Sequence, residues 1–190
     1  SPLGHRKGEK VFQDNISLRD DATMPFMPSS RPWDDEGMPS QRNYLIENGV
    51  VKDFLYDLQT AGLAKAKSTG NASRAMGGMP APMATALIIS TGTTTLDDML
   101  NGIEEGLLIE HLMGAEQGNV MGGDFSGNVL LGYRVERGKV VGRVKNAMVS
   151  GNVYELLREG VTLSKESRWV YGHLNTPYIY VSKLSVAGKG

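Results

Sequence analysis

The sequence predicts an α+β fold, in which curved antiparallel sheets built from β-hairpins carry about three helices packed on them. Two tight-turn sequences, Asn48-Gly49 and Arg137-Gly138, each join two β-like runs. Segments with helix-capping signals are few and short by comparison. The 24 glycines follow no fixed period, which indicates many tight turns between short strands.

The length of 190 residues predicts a single domain over 1–190. Because the chain starts at Ser1 without an initiator Met, we expect a fragment of a longer polypeptide. Residues 1–32 hold one plausible strand, Asn15 to Arg19, and then a stretch with prolines at 25, 28 and 32. Such proline spacing forbids regular helix and favours an extended N-terminal arm.

The middle of the chain begins with a predicted hairpin, because Asn-Gly separates the runs Gln41–Glu47 and Val50–Tyr56. Leu58–Lys67 is then a short helix. Ser68–Pro82, rich in Gly, Ala, Met and Pro, has neither a helical nor a strand period and predicts a loop. Met83–Ile89, apolar except for Thr, is typical of a buried strand.

The second half begins with the best-capped helix, in which Thr94 or Thr95 caps and Asp97-Asp98 fill the first turn. A second hairpin turns at Arg137-Gly138. In order, the predicted elements are helix Thr93–Gly106, strand Leu107–Met113, hairpin strands Asn128–Glu136 and Lys139–Val149, helix Asn152–Gly160 and strand Pro177–Val186.

Composition excludes several classes of protein. Twenty basic and 21 acidic residues give a formal charge of -1 without a long block of either sign, which argues against a nucleic-acid surface. No apolar run approaches the roughly 18 residues that cross a bilayer. The absence of cysteine excludes disulfides, thiolate zinc sites and cysteine nucleophiles. These features predict a cytoplasmic protein that binds neither nucleic acid nor membrane.

Metal-binding signals are weak. His5, His111 and His173 lie far apart in sequence, and Glu110-His111 sits on a predicted strand, where neighbouring side chains point to opposite faces. The acidic stretch Asp34-Asp35-Glu36-Gly37 fits either a hard-cation loop or a turn that pairs with Arg31 or Arg42. Since the ligand alternation of an EF-hand is missing, the sequence favours the turn.

The remaining signals are also open to two interpretations. Gly122–Gly127 has the composition of a phosphate-binding nest, but it lacks the Gly-Lys-Ser/Thr ending of a P-loop and favours a loop that ends a strand. Ser68 or Ser126 as a nucleophile would need a base, and no His is placed to serve. Met76, Met79 and Met83 suit either an adaptable binding lip or irregular core packing.

Six short motifs in the same order resemble the C-terminal region of the TldD/PmbA family, across nearly the whole chain. They are Trp33-Asp34-Asp35-Glu36-Gly37, Leu45-Ile46-Glu47-Asn48-Gly49-Val50, Ser68-Thr69-Gly70-Asn71-Ala72, Gly123-Asp124-Phe125-Ser126, Val149-Ser150-Gly151-Asn152 and Leu184-Ser185-Val186-Ala187-Gly188. The resemblance implies a cytoplasmic protein of peptide maturation and proteolysis, also labelled a modulator of DNA gyrase. It further implies a homodimer or a heterodimer.

The family resemblance also bears on zinc. TldD-like members carry a His-Glu-x-x-x-His motif before the region matched here and a cysteine ligand near their end, at a place that corresponds to Tyr171. Because this chain has no cysteine, the resemblance implies either a PmbA-like subunit with no metal ligands of its own, zinc being held by a TldD-like partner, or a member whose metal site has decayed. His173 is a weak candidate for a replacement ligand.

The resemblance therefore implies a non-zinc-bearing domain that forms a scaffold and part of a cleft for unfolded peptides, inactive alone, with no catalytic residue and no cofactor. The alternatives are a pure dimerisation or protein-interaction module without substrate contact, and an independent hydrolase with an unrecognised site. The predicted cleft residues are Asp34, Asp35, Glu36, Ser68, Thr69, Asn71, Asp124 and Ser126.

Overall fold

The computed structural model describes residues 2–188. This part of the chain forms three α-helices and thirteen strands, with several strands between one helix and the next. The helices are α1 Leu58–Ala64, α2 Leu96–Asn101 and α3 Val153–Leu156, with a 3-10 turn at Val120–Gly122. The strands are β1 Leu18–Asp21, β2 Arg42–Glu47, β3 Val50–Val51, β4 Ala72–Ser73, β5 Ala81–Pro82, β6 Leu87–Ile89, β7 Glu105–Met113, β8 Asp124–Glu136, β9 Lys139–Arg143, β10 Ala147–Asn152, β11 Thr162–Val170, β12 Leu174–Tyr180 and β13 Ser185–Gly188.

Two large sheets organise the fold. The first has six strands in the order β11-β12-β6-β1-β2-β3, and all its pairs are antiparallel except β12 with β6. The second has the order β13-β10-β8-β7, with β9 beside the far end of β8. A two-stranded ribbon, β4-β5, stands apart from both. The predicted α+β class, with several antiparallel sheets and three helices, is confirmed.

Both predicted hairpin turns are confirmed. Asn48 and Gly49 have φ of 50° and 75°, and Arg137 and Gly138 have φ of 46° and 76°, as a type I′ turn requires. Gly49 is also fixed by packing, since a Cβ atom there would lie 2.1 Å from the carbonyl oxygen of Phe12. The first hairpin is therefore held both by its own turn and by the neighbouring chain.

The larger core lies against the six-stranded sheet, and residues of the N-terminal segment belong to it. Its buried members are Val11, Phe12, Ile16, Ile46, Val51, Val161 and Leu163. A smaller core of Val129, Ala147 and Val149 lies under the second sheet. The prediction of an extended arm over residues 1–32 is therefore wrong for its middle, because residues 11–16 supply core side chains and β1 is an inner strand.

Helices α1 and α3 begin within one residue of their predicted starts, α2 begins three residues after its predicted start at Thr93, and all three end earlier than predicted. Asp57 and Thr95 cap α1 and α2, and Asn152 caps α3, each through a side-chain oxygen that accepts a backbone N–H of the first turn. The last predicted helix, Asn152–Gly160, keeps only four helical residues, Val153–Leu156. None of the helices within residues 2–188 is long and apolar enough to cross a membrane.

Candidate functional site

The acidic turn at residues 34–37 is held by hydrogen bonds to its own neighbourhood. Oδ1 of Asp34 accepts the N–H groups of Glu36 and Met38 at 3.0 and 2.9 Å, and Oδ2 accepts the N–H of Ala72 at 2.9 Å. Asp34 is buried. Its carboxylate therefore closes the turn and ties it to β4.

The other two carboxylates of the turn also accept backbone N–H groups. Oδ2 of Asp35 accepts from Arg74 at 2.7 Å, and Oε2 of Glu36 accepts from Leu58 at the start of α1, also at 2.7 Å. Arg31 Nη1 lies 3.6 Å from Asp35 Oδ1, whereas the guanidinium of Arg42 pairs with Asp21 at 2.6 Å. The structure thus confirms pairing of the turn with Arg31 and gives Arg42 a different partner.

A buried carboxylate anchors the next predicted loop. Asp20 on β1 has no exposed surface, and Nδ2 of Asn71 donates to its Oδ2 at 2.6 Å. The N–H and hydroxyl of Thr85 and the N–H of Ala86 donate to the same carboxylate at 2.7, 2.8 and 2.8 Å. Asn43 Nδ2 completes the network by donating to Asn71 Oδ1 at 2.9 Å.

Ser68 and Thr69 are buried against the chain just before α1. The N–H of Tyr56 donates to Thr69 Oγ1 at 2.8 Å, and Thr69 Oγ1 donates to the carbonyl oxygen of Tyr56 at 3.1 Å. Ser68 Oγ lies 3.4 Å from the same carbonyl oxygen. Six of the eight predicted cleft residues therefore meet in one region, which we call the loop cluster: Asp34, Asp35, Glu36, Ser68, Thr69 and Asn71.

The other two predicted cleft residues lie on the second sheet. Asp124, at the start of β8, is exposed and its Oδ1 accepts Nδ2 of Asn152 at 2.8 Å. Ser126 Oγ donates to the sulfur of Met148 at 3.4 Å. Neither residue bonds to a member of the loop cluster in these contacts, so the structure divides the predicted site between two sheets.

The glycine-rich segment before β8 turns its backbone N–H groups inward. The N–H of Gly122 donates to Asn119 Oδ1 at 3.0 Å, and that of Gly123 donates to the carbonyl oxygen of Val120 at 3.0 Å. The N–H of Asp124 donates to the carbonyl oxygen of Asn119 at 3.1 Å. Because these donors are used in closing the 3-10 turn, the loop interpretation fits better than the phosphate-nest one.

The donor set does not fit a zinc site. The sequence has no cysteine and three histidines, and residues 2–188 contain no group of three His, Asp or Glu side chains placed to hold a metal ion. His173 is exposed, with its Nδ1 at 3.1 Å from the carbonyl oxygen of Tyr171. Residues 2–188 therefore bring together fewer side chains of these types than the three or four ligands that zinc sites use.

A cleft of about 1090 Å³ lies where α2, β7 and β12 meet. Apolar side chains supply much of its wall, including Met99, Leu100, Ile103, Leu108 and Ile109. Clefts of this size with a few converging polar groups are the usual binding sites of proteins. None of the loop-cluster residues is among those that line it.

One wall of the cleft is an open sheet edge. β7 pairs with β8 along one side only, and no other strand formed by residues 2–188 pairs with its second side. The cleft is lined by Glu104 through Ile109, which includes the first half of this strand. Such an edge presents alternate N–H and C=O groups that are ready to pair with another extended segment.

Three polar side chains from both sheets meet beside the cleft. Arg168 Nη1 on β11 donates to Glu110 Oε2 on β7 at 2.5 Å, and Tyr178 OH on β12 donates to Glu110 Oε1 at 3.0 Å. The guanidinium carbon of Arg168 lies 4.9 Å from the centre of the Tyr178 ring. Arg168 and Tyr178 also line the cleft.

The electrostatics of this group follow from its contacts. The Glu110 hydrogen bond raises the pKa of Arg168, which therefore stays charged. Burial, and then the hydrogen bond to Glu110, raise the pKa of the Tyr178 hydroxyl, which therefore stays neutral and donates. At neutral pH the charged guanidinium of Arg168 therefore lies over the ring of the neutral Tyr178, and both side chains donate hydrogen bonds to Glu110.

Sequence reasoning missed Arg168 and Tyr178. No element was predicted for residues 162–170, because the central stretch Lys165-Glu166-Ser167-Arg168 lacks apolar alternation. Glu110 was considered only as a metal ligand. Glu110 sits at a β-bulge, since Ile109 lies opposite Gly132 and His111 lies opposite Leu131, and the register is restored at the next residue of β7. No local sequence signal marks that bulge.

A family model described as the PmbA/TldA metallopeptidase C-terminal domain matches residues 1–188. The fold described above is therefore that of a metallopeptidase-family C-terminal domain. The chain belongs to the TldD/PmbA family, as the six ordered motifs predict.

Individual relatives agree with this membership. The metalloprotease TldD homolog of Buchnera aphidicola subsp. Acyrthosiphon pisum is 32% identical over 153 residues, which are 80% of this chain and 32% of that protein. TldE from Thermococcus kodakarensis superposes with a TM-score of 0.85 at 33% identity, over 99% of this chain and 43% of that one.

A Thermotoga maritima protein, whose description proposes it as a modulator of a DNA gyrase, superposes with a TM-score of 0.86 at 34% identity, over 98% of this chain and 42% of that one. The chain thus spans between 32% and 43% of the length of these three proteins.

Proposed function

We propose that this chain is the non-zinc-bearing C-terminal domain of a TldD/PmbA-type peptidase subunit, where it forms a scaffold and part of the peptide-binding cleft. One observation carries the proposal: the open edge of β7 forms a wall of the 1090 Å³ cleft. An extended peptide that adds to a sheet edge gains main-chain hydrogen bonds, which are independent of its sequence. This suits a protein of proteolysis and peptide maturation.

The dimensions of the cleft set the length of peptide it can hold. A strand advances about 3.3 Å per residue, so the stretch from Glu105 to Ile109 spans about 13 Å. A pairing peptide therefore places four or five residues in the cleft. Leu100 and Ile103 offer apolar contacts to the side chains of that peptide.

The zinc in this proposal belongs to a TldD-like subunit, and the assembly is a homodimer or a heterodimer. The sequence has no thiol, and its three imidazoles are at residues 5, 111 and 173, far apart along the chain. A zinc peptidase needs several ligands, an open coordination position for water, and a carboxylate that accepts the proton. The PmbA-like type, which carries no zinc motif, matches this deficit.

We propose that the loop cluster supports the scaffold and, as a second role, contacts the peptide. Its carboxylates accept backbone N–H groups from two separate segments, at Ala72 and Arg74 and at Leu58. Exposed parts of the same loops, such as Trp33, Met76 and Met79, are free to meet a partner subunit or substrate. We place the protein in the cytoplasm.

The first experiment separates binding from hydrolysis. The chain is assayed against unfolded peptides alone and together with a zinc-bearing TldD-like subunit, with and without a chelator. The proposal expects binding without cleavage by the chain alone, and chelator-sensitive cleavage only with the partner. Cleavage by the isolated chain would show an independent hydrolase and defeat the proposal.

The second experiment asks whether the cleft is the binding surface. Leu100→Trp fills the cleft, whereas Leu63→Trp makes the same change on the exposed side of α1, away from it. The proposal expects weaker peptide binding for Leu100→Trp alone. If both variants bind peptide equally, and dimer formation is instead lost in Leu63→Trp or when the surface around Met76 is altered, the chain is an interaction module.

A further inference from the structure

We propose that Arg168 binds the C-terminal carboxylate of the peptide in the cleft, so that the domain selects peptides with a free C-terminus. The inference rests on the proposed function and adds to it the end of the peptide that is recognised and the residue that recognises it.

Arg168 has hydrogen-bond donors to spare at the right place. Its Nη1 atom serves both Glu110 and Tyr178, at 2.5 and 3.3 Å. Within residues 2–188, no hydrogen bond is formed by its Nε or Nη2 atoms, and the side chain is 46% exposed where it lines the cleft. These two atoms form the edge of the guanidinium that can donate two parallel hydrogen bonds to one carboxylate.

The guanidinium is held in position before any ligand arrives. Glu110 reaches it from the bulge of β7, and the Tyr178 ring lies against one face. Ordering an arginine side chain normally costs conformational entropy when a ligand binds, and here the protein has already ordered it. Glu110 lies on the Nη1 side, so a carboxylate on the opposite edge is separated from it by the cation.

The charges along β7 give the bound peptide a direction. Glu104 and Glu105 line the cleft at the beginning of β7, and Arg168 contacts Glu110 about 16 to 20 Å further along, at about 3.3 Å per residue. A peptide with its carboxylate at Arg168 runs parallel to β7, with its earlier residues near the acidic end. Lys183 is the second cation of the lining and the rival partner for a carboxylate.

The test uses two N-terminally labelled hexapeptides of alternating Val and Thr, one with a free C-terminal carboxylate and one with a C-terminal amide. Their dissociation constants are measured by fluorescence anisotropy with the unaltered chain and with Leu100→Trp. We expect amidation to weaken binding about tenfold, as for the loss of a charge-assisted hydrogen bond. This comparison needs no altered side chain and therefore no assumption about folding.

Two variants then locate the recognition. Arg168→Gln should bind both peptides equally, with a circular dichroism spectrum like that of the unaltered chain, and Lys183→Gln should keep the tenfold difference. If Lys183→Gln abolishes the difference, Lys183 is the carboxylate partner and the inference is wrong. Equal binding of both peptides by the unaltered chain, still weakened by Leu100→Trp, overturns the inference and leaves the proposed function intact. Binding of neither peptide overturns both.

Discussion

Glu110 and Arg168 lie on different sheets, yet Oε2 of the carboxylate is 2.5 Å from Nη1 of the guanidinium. The contact is made from a β-bulge of β7, where Glu110 has no partner residue on β8. It joins the two sheets beside the cleft that their meeting creates. The Glu110–Arg168 contact thus lies beside the proposed binding site and also connects the two sheets.

The Glu110–Arg168 pair should contribute measurably to stability. In a double-mutant cycle with Glu110→Gln and Arg168→Met, we expect a coupling free energy of about 0.5–1 kcal/mol, because the pair is half exposed. Urea unfolding of the four proteins gives this value. The matched control is Arg6–Glu9, an exposed local pair at 2.7 Å, whose coupling should be smaller. Equal couplings would show that the inter-sheet pair has no special role.

Asp20 should be among the most sensitive polar residues of the chain. Asp20→Asn keeps the shape but turns an N–H₂ group toward donors at Asn71, Thr85 and Ala86. Loss of stability of about 2–4 kcal/mol is expected, since buried donors lose a charged acceptor. Asp14→Asn, on an exposed side chain, is the control and should change stability by less than about 0.5 kcal/mol. A loss below about 1 kcal/mol for Asp20→Asn would contradict the geometry.

Two glycine substitutions should have opposite effects. Gly49→Ala places a Cβ atom 2.1 Å from the Phe12 carbonyl oxygen at a φ of 75°, and we expect a loss of more than about 1 kcal/mol. Gly62→Ala lies within α1 with no atom within 4 Å of its new Cβ, and a gain of about 0.5–1 kcal/mol is expected. Thermal unfolding measures both. Stabilisation by Gly49→Ala would mean that the first hairpin is not packed as described.

Local chemistry explains what the sequence could predict of the fold. Asn48-Gly49 and Arg137-Gly138 specify their turns by their own backbone preferences, and Asp57 specifies the start of α1 by its own side chain. These signals operate within four residues, so they are visible in the printed sequence. Helix ends were less visible: α3 stops at Leu156, four residues before the predicted end at Gly160.

Non-local pairing explains what could not be predicted. β1 lies in the middle of a sheet because it pairs with β6, whose residues are about 70 positions away, and the sequence near residue 18 carries no trace of that partner. The same distinction applies to the candidate site residues, some of which could be predicted from the sequence and some of which could not. The loop cluster was found because its motifs resemble those of the family, whereas Arg168 and Tyr178 acquire their meaning only when β11 and β12 reach Glu110.

Asp57 gives a prediction of how stability depends on pH. The hydroxyl of Thr60, and then its backbone N–H, donate to the Asp57 carboxylate and lower its pKa below the ordinary 3.8. A carboxyl with a lowered folded pKa stabilises the fold at pH values above 3.8 and loses that contribution as the pH falls through the folded value. The N-cap of α1 should therefore weaken only in acid.

The measurement compares the unaltered chain with Asp57→Asn and Asp57→Ala by urea unfolding from pH 7 to pH 3. Asp57→Ala should lose about 1 kcal/mol at pH 7, because it removes the cap. Asp57→Asn caps without a charge, so its stability relative to the unaltered chain should be lower at pH 7 and should approach equality as the pH falls below about 4. A difference that stays constant down to pH 3 would show that the charge of the Asp57 carboxylate has no part in holding the first turn.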